Sequence, residues 1–375
     1  MTVEQLLLTQ FRHIERSHVF FDARENLIIG QNGSGKTSIL EAIYYLAYAK
    51  SFRSQHNRSL IGHSYDRFQI DAKICLGETQ HSVQSIYGND KNAQHLSLDQ
   101  DKRTKQSVLA RMLPVVFIDA STHREFASTP KNRRDFLNWC CFYTVPDYHQ
   151  NLMRFQRALQ QRNQLLKQCK TLDSNMNTLL ATWTEPLIYY AEKIHEARLT
   201  LVAQLNQQLT NTWSCFLTTK PGTVAYEPGW RQPTTYAACL AQSLSQDLHY
   251  GFTQHGPHRG DLSCLSETGH SIFQSFSQGQ QKLFSYMIKC AQLKLLPDSD
   301  AGKSVLLIDD LAAELDDENQ SKVLQYLKDM TCQKFLTALN PAVFSGNFSS
   351  NAMYVDGIHE PADTYNPKRI SAEPV

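Results

Sequence analysis

No stretch of this chain approaches the roughly 18–20 consecutive apolar residues of a membrane-crossing helix. Its opening, MTVEQLLLTQFRHIERSH, lacks the apolar core and small-residue cleavage site of a secretory leader. A surplus of one charge is missing too. Lys and Arg total 37 against 36 Asp and Glu, a formal net charge of +1, which excludes a bulk polycation. Nine cysteines are present without a C-x-x-C pair, so neither a zinc ribbon nor a thioredoxin-type site is indicated. Odd in number and scattered, with Cys140 and Cys141 adjacent, they read as reduced thiols in a reducing compartment. Internal repeats and low-complexity tracts are absent as well. These lacks lead to the expectation of a soluble, cytoplasmic protein with no membrane partner.

What is present is enough for a large core. The chain has 375 residues, 41% hydrophobic and 19% charged, which suggests about two domains or one domain with a long insertion. Residues 1–120 alternate short apolar runs with turns. Leu27–Ile29, Phe68–Cys75 and Gln80–Ile86 are strand candidates, Leu113–Ile118 is a further apolar run, and Ser38–Ala49 has the 3-4 spacing of a helix. Residues 147–213 are polar, rich in glutamine and free of glycine. Leu152, Phe155, Leu159, Leu166 and Cys169 form one stripe, with Arg162 in the skipped seam position. After a polar break near Thr171–Thr178, Trp183, Leu187, Tyr190, Ile194, Ala197 and Leu201 form another. Two such helices predict an antiparallel hairpin, a short arm, with ordinary bundle helices as the alternative. Pro186 suggests that the second helix begins near it. Residues 215–254, with Pro221, Pro228 and Pro233, read as loops and connections. Helices are expected over Gly279–Leu295 and around Glu318–Met330, and strands at Val305–Ile308 and Phe335–Ala338.

Three motifs carry chemistry. Gly30-Gln31-Asn32-Gly33-Ser34-Gly35-Lys36-Thr37, followed by Ser38, satisfies the phosphate-loop pattern between an apolar strand and an amphipathic helix. Its glycines let backbone N–H groups turn inward around phosphate oxygens. Lys36 supplies a mobile charge for the terminal phosphates, and the Thr37 hydroxyl can coordinate Mg2+. Far downstream, Val305-Leu306-Leu307-Ile308-Asp309-Asp310 is an apolar strand ending in acids. Asp309 would sit beside the metal and Asp310 would polarise the attacking water. About 270 residues separate the two motifs, so two halves of one ATPase bracket an insertion. The third motif is Ser277-Gln278-Gly279-Gln280-Gln281-Lys282 at a helix start. There Ser277, Gly279 and Gln280 offer a hydroxyl, bare backbone and oriented amides to a phosphate, or simply cap a helix. The order of the three resembles that of the ABC-type ATPases, in which each nucleotide lies between the phosphate loop of one subunit and the serine–glycine turn of another. Asp316 stands where that class has its D-loop, and equally where a helix N-cap would stand.

The resemblance narrows to the RecF family, short-armed relatives of the structural-maintenance-of-chromosomes ATPases. It rests on Phe11-Arg12, GQNGSGKTSILEAIYYL, Ser51-Phe52-Arg53 and Arg133-Arg134-Asp135-Phe136-Leu137. It rests also on Arg157-Ala158-Leu159-Gln160-Gln161-Arg162-Asn163, Gly256-Pro257-His258-Arg259, the Ser277–Gln281 turn and Leu307–Asp316. It implies an α/β fold, an ABC-type head split in sequence. Residues 1–119 with 300–375 would form the ATPase lobe, and 120–299 a helical lobe carrying the arm (about 147–213) and the serine–glycine turn. It further implies ATP and Mg2+ as cofactors and an ATP-dependent homodimer. DNA is the expected partner, as single-strand gaps, junctions or duplex, in work with RecR and RecO that helps RecA load. Two residues depart from the pattern: Asn138 stands where an Asp is usual, and Gly260 where an acid usually comes next. The transporter switch histidine has no counterpart, and Thr337 occupies that neighbourhood.

Phosphate contact needs clustered cations, and four groups qualify. These are Lys50, Arg53 and Arg58; Lys102, Arg103 and Lys105; Lys131, Arg133 and Arg134; and Arg154, Arg157, Arg162, Lys167 and Lys170, the last in an acid-free stretch. No base-reading element stands out, so binding is expected to select DNA structure and not sequence. Turnover is expected to be slow, a weak DNA-stimulated ATPase, because each chain holds half a site. An ABC transporter subunit and a nucleotide-gated protein-binding scaffold are the rival readings. The first predicts no DNA affinity, and the second no coupling of nucleotide to DNA.

Overall fold

The computed structural model describes residues 1–90, 94–168, 173–297, 303–311, 315–344, 348 and 352–354. Cys169, Lys170, Thr171, Leu172, Ala312, Ala313 and Glu314 lie outside them. The chain forms two compact units, Met1–Thr122 with Lys282–Val375, and His123–Gln281.

The first unit is built on two sheets. One is antiparallel and comprises β1 (Thr2–Phe11), β2 (Ile14–Phe20), β4 (Arg67–Leu76), β5 (Thr79–Gly88) and β6 (His95–Leu98). Their order is β2-β1-β4-β5-β6. Val3, Leu6, Leu8, Phe68, Ile70, Ala72 and Ile74 are buried, while the residues between them are partly or wholly exposed, which is the period-two signature of a sheet covered on one face. The other sheet is parallel. It comprises β3 (Glu25–Ile29), β7 (Val115–Ile118), β10 (Val305–Ile308), β11 (Gln333–Ala338) and β12 (Ala352–Tyr354). These lie in the order β12-β3-β11-β10-β7. Every residue of β7, β10 and β11 is buried, so these strands read as continuous apolar runs and do not alternate. Helix α1 (Lys36–Tyr48) follows β3 and buries Ile39, Leu40, Ile43 and Leu46 in the core shared with the antiparallel sheet. Helix α2 (Gln106–Met112) packs beside it.

The second unit is mainly helical: α3 (Thr122–Ser128), α4 (Pro130–Thr144), α5 (Tyr148–Gln168), α6 (Ser174–Phe216), α7 (Tyr236–Tyr250) and the short α8 (Ile272–Ser275). It also holds the hairpin of β8 (Thr223–Glu227) and β9 (Asp261–Leu265). Helix α9 (Gln278–Lys294) begins in this unit and continues into the first, where α10 (Asp317–Lys328) also lies.

Helices α5 and α6 pair antiparallel, as Arg162 to Thr184, Arg154 to Tyr190 and Arg198 to Tyr148 show. Two expectations need correction. Pro186 does not start the second helix. It lies inside α6, which runs unbroken for 43 residues from an Asp173 cap that accepts from Met176 N at 2.7 Å. An internal proline costs roughly 3 kcal/mol. Here the carbonyl it orphans belongs to exposed Thr182, where water can serve, and buried Leu180, Leu187, Ala191 and Ile194 hold both sides of the break. The stretch 215–254 is also not all loop. Beyond Pro233, Thr235 accepts from Ala238 N at 3.2 Å and starts α7, which packs against α5 and α6.

Candidate nucleotide site

Parallel pairing brings the distant motifs together. Strand β11 lies between β3 and β10, with Thr337 opposite Ile28 and Leu336 opposite Ile308. The carboxyl ends of three strands therefore meet, the place where open parallel sheets hold ligands. The phosphate loop leaves β3 after Ile29, and Asp309 and Asp310 follow β10. The Thr37 hydroxyl reaches both Asp309 carboxylate oxygens, at 2.9 and 3.1 Å, across 272 positions of sequence.

The loop has the backbone a phosphate cradle requires. Gly33 and Gly35 take φ of 84° and 110°, and Gly35 is the N-cap of α1. Side chains are strained in that region, so glycine is what lets the loop turn its amides inward. Lys36 is buried, and its ammonium donates to Gly30 O at 2.6 Å and Gln31 O at 2.8 Å. Burial pushes its pKa down, against the opposing pull of Asp310 and then Asp309. The Ser34 hydroxyl is buried and has no hydrogen-bond partner among the described residues. A buried hydroxyl left open on the loop that carries Lys36 suits a phosphate oxygen. Thr37 and Asp309 supply the hard oxygen donors that Mg2+ takes. The residues thus fit a magnesium-bound nucleoside phosphate.

The role of Thr337 was not legible in the sequence. Fully buried at the end of β11, it donates to Asp309 Oδ1 at 2.7 Å and accepts from Asp310 N at 2.8 Å. Asp310 itself has φ of 52°, a conformation that a non-glycine residue adopts at a cost and Asp tolerates better than most. A second arrangement explains two of the family motifs. Arg12 grips fully buried Glu41 of α1 with two bonds, at 2.7 and 2.8 Å, and donates to Ser59 O at 2.8 Å. Ser51 also donates to Glu41, and its hydroxyl accepts from Arg53 N and Ser54 N, both at 2.9 Å. The helix carrying Lys36 is thereby tied to the segment bearing exposed Arg53.

The turn at Ser277 is a capping box. Ser277 Oγ accepts from Gln280 N at 3.3 Å, and Gln280 Oε1 accepts from Ser277 N at 2.9 Å. Ser277 is exposed, and Gly279 and Gln280 are half-buried. Asp316 is the N-cap of α10, accepting from Asn319 N at 2.8 Å. Among the cationic candidates, Arg53, Arg154 and Arg157 are exposed. Arg133 and Arg134 are half-committed. Arg133 holds Asp261 with bonds of 2.7 and 2.8 Å, and Arg134 donates to Gly260 O at 3.0 Å. Arg162 is corrected. It is 1% exposed and paired at 2.8 Å with fully buried Asp247, so its charge serves the interior and not a DNA surface.

The likeness to known proteins agrees with this geometry. Residues 2–357 match the family model described as the RecF/RecN/SMC N-terminal domain. The DNA replication and repair protein RecF of Shewanella sediminis is 34% identical over 91% of this chain and 93% of its own length. That of Shewanella oneidensis is 32% identical over 96% of both. Among solved structures, the recombination mediator protein RecF with ATP superposes with a TM-score of 0.82 at 23% identity, over 94% of this chain and 95% of that one. An Smc head bound to the C-terminal winged-helix domain of ScpA gives a TM-score of 0.55 at 14% identity, over 92% and 91%. The fold is thus the α/β head of the ABC-type ATPases, and the chain belongs to the RecF family of SMC-related ATPases.

Proposed function

We propose that this protein is an ATP-dependent DNA-binding protein of DNA repair and replication. The observation that carries the reading is the contact of Thr37 with Asp309, which assembles both halves of a nucleotide site from opposite ends of the chain. Relatives named as DNA replication and repair proteins, covering nearly the whole chain, support the biological role. Bound ATP and Mg2+ would supply a scissile terminal phosphate and the cation that screens it. Gly30, Gln31, Asn32, Gly33, Ser34, Gly35, Lys36, Thr37 and Ser38 would hold the phosphates, and Thr37 and Asp309 the cation. Asp310 orients and polarises the attacking water, with its backbone pinned by Thr337. Ser277, Gly279 and Gln280 of a second copy close the site, with Asp316 of the D-loop nearby. ATP therefore joins two chains, and slow hydrolysis parts them.

DNA lies along the pair, held through its phosphates by exposed Arg53, Arg154 and Arg157, with Arg133 and Arg134 contributing what their internal partners leave. Single-strand gaps and junctions are the preferred structures, and RecO and RecR the protein partners through which RecA is loaded. DNA binding measured with ATP, with ADP and without nucleotide, each across several salt concentrations, tests the reading. Tight binding only with ATP is expected, with a steep salt slope. Equal binding in all three states would leave nucleotide and DNA uncoupled and refute it.

A further inference from the structure

Helix α7 ends in a surface whose aromatic residues, Tyr250 and Phe252, belong to none of the motifs above. Its last residues, His249 and Tyr250, are exposed, Tyr250 by 60%. Gly251 caps the helix at φ of +73°, and a side chain there would press on the Lys167 stem at 3.3 Å. Lys167 therefore stands beside the helix end. Phe252 comes next, its ring 6.2 Å from that of Tyr250, with the Arg259 guanidinium 5.6 Å from its centroid. Arg259 and Lys167 are both exposed.

This cluster is rigidly mounted. Arg162 donates to Asp247 Oδ2 at 2.8 Å and to Thr253 Oγ1 at 2.6 Å. Asn163 Oδ1 accepts from both Thr253 N and Thr253 Oγ1 at 2.8 Å, and Asp247 Oδ1 accepts from Gln254 N at 2.9 Å. The buried ion pair thus fixes the loop that displays Phe252. The loop's surroundings in sequence are also free of competing charge. No acid occurs from Leu248 to Gly260 or from Tyr148 to Gln168. Along α5 the exposed residues Arg157, Gln160, Gln164 and Lys167 succeed one another at helical spacing on one face.

Surface aromatic rings set among cations and amides, on stretches of chain that carry no acid, are the chemistry that receives an unpaired nucleic-acid strand. Rings stack on bare bases while cations follow the phosphates. A duplex hides its base faces and gains only from the cations. We infer that Tyr250, Phe252, Arg259 and Lys167, continued by Arg157 along α5, form a contact surface for an unpaired DNA strand, with Tyr250 the stacking residue. The inference rests on the DNA-binding reading and adds to it the surface that distinguishes a strand without its complement.

The test uses the full chain with ATP and measures anisotropy of a labelled thymidine oligomer and of a blunt duplex of the same length. Tyr250 is exposed, so Tyr250→Ala leaves the fold intact. It should weaken oligomer binding roughly ten-fold, as expected for one lost stack, with duplex binding and the salt slope unchanged. Lys167→Gln should instead lower the salt slope for the oligomer by about 0.7. Tyr250→Trp should retain affinity, and the new indole's fluorescence should be quenched by the oligomer and not by the duplex. Wild-type-like oligomer binding by Tyr250→Ala, or equal losses on oligomer and duplex, would overturn the inference while leaving the DNA-binding reading standing. Failure of the unaltered chain to bind either DNA would overturn both.

Discussion

Thr337 and Asp309 share a hydrogen bond of 2.7 Å at the floor of the nucleotide site, and the same Thr337 hydroxyl receives the backbone N–H of Asp310 at 2.8 Å. One buried hydroxyl therefore sets the direction of the Asp309 carboxylate and the path of the chain into the next acid. It does so from β11, the strand that joins the two motif strands.

Thr337→Val keeps the shape and removes the hydroxyl. The Asp310 amide then loses an acceptor, and Asp309 a donor, in a position closed to water. A loss of about 1–3 kcal/mol of stability is expected. ATP turnover should fall at least ten-fold with a smaller change in KM, because the residue orients Asp309 and Asp310 and touches no substrate itself. Thr337→Ser should restore most of the turnover. Steady-state kinetics and thermal melts on the three proteins check this, and unchanged turnover in the valine variant would remove Thr337 from the mechanism.

Lys36 offers a variant that separates folding from function. Burial depresses its pKa, so the folded chain holds this ammonium less comfortably than water does. Lys36→Ala gives up its bonds to Gly30 O and Gln31 O together with that buried charge, so its melting temperature should change little while ATP-dependent self-association is lost. Sedimentation velocity with and without ATP reads the second effect. A nucleotide-driven shift that survives the substitution would contradict the proposed closure of two chains on ATP.

Much of this site was legible because its chemistry needs contiguous residues. Gly30–Thr37 must be one turn of backbone, and Val305–Asp310 one strand with its end, so each announces itself locally. Partners far apart in sequence did not. Arg162 looked like one more cation on a basic helix, because its counter-ion Asp247 lies 85 positions away. Arg198, buried within α6, carried no local sign of its surroundings. The antiparallel pair of α5 and α6 was legible in outline, yet the buried face of α5 is Tyr148, Phe155, Ala158, Arg162 and Leu166, and the predicted Leu152 and Leu159 are only half-covered. Ala158 takes a seam position that a hydrophobic pattern passes over, and Arg162 fills the seam position that the spacing skipped. Helix α7 was hidden by the prolines before it, since breaker residues mark where an element cannot be and do not report whether a helix starts just beyond them.

His258 gives the fold a pH limit. Burial lowers its pKa to about 4 from an ordinary 6.5, against the pull of Thr253 O, with Arg259, Arg134 and His255 adding to the depression. The folded chain thus keeps this imidazole neutral where the unfolded chain protonates it. This contribution costs nothing above pH 6.5 and grows as pH falls from 6.5 towards 4, because the unfolded state binds the proton first. Denaturant melts from about pH 7.5 to about pH 4.5 should show stability falling with acid. His258→Gln should make that fall shallower over the same interval, and parallel curves would exclude His258 as a cause.

Arg198 is a buried charge whose partners among the described residues are all neutral. It is 2% exposed, and its acceptors are Asn138 Oδ1 and Pro257 O at 2.9 Å, Tyr148 OH at 3.1 Å and Tyr226 OH at 3.4 Å, none of them a carboxylate. A buried cation balanced only by dipoles costs more than one facing an anion at the same distance. Asn138 also accepts from Tyr148 OH at 2.8 Å, so a carboxylate there would meet two donors already in place and need no new contact. Asn138→Asp converts the 2.9 Å contact into a charge-assisted bond of the kind that contributes about 1.5–3 kcal/mol, against roughly 0.5–1.5 for a neutral one. The expected outcome is a Tm several degrees higher at about pH 7, with the gain lost below about pH 4 as the new carboxylate, whose pKa the arginine depresses, takes up a proton. An unchanged or lowered Tm at neutral pH would mean that desolvating the carboxylate outweighs the pairing, and that the neutral asparagine is the better partner for this arginine.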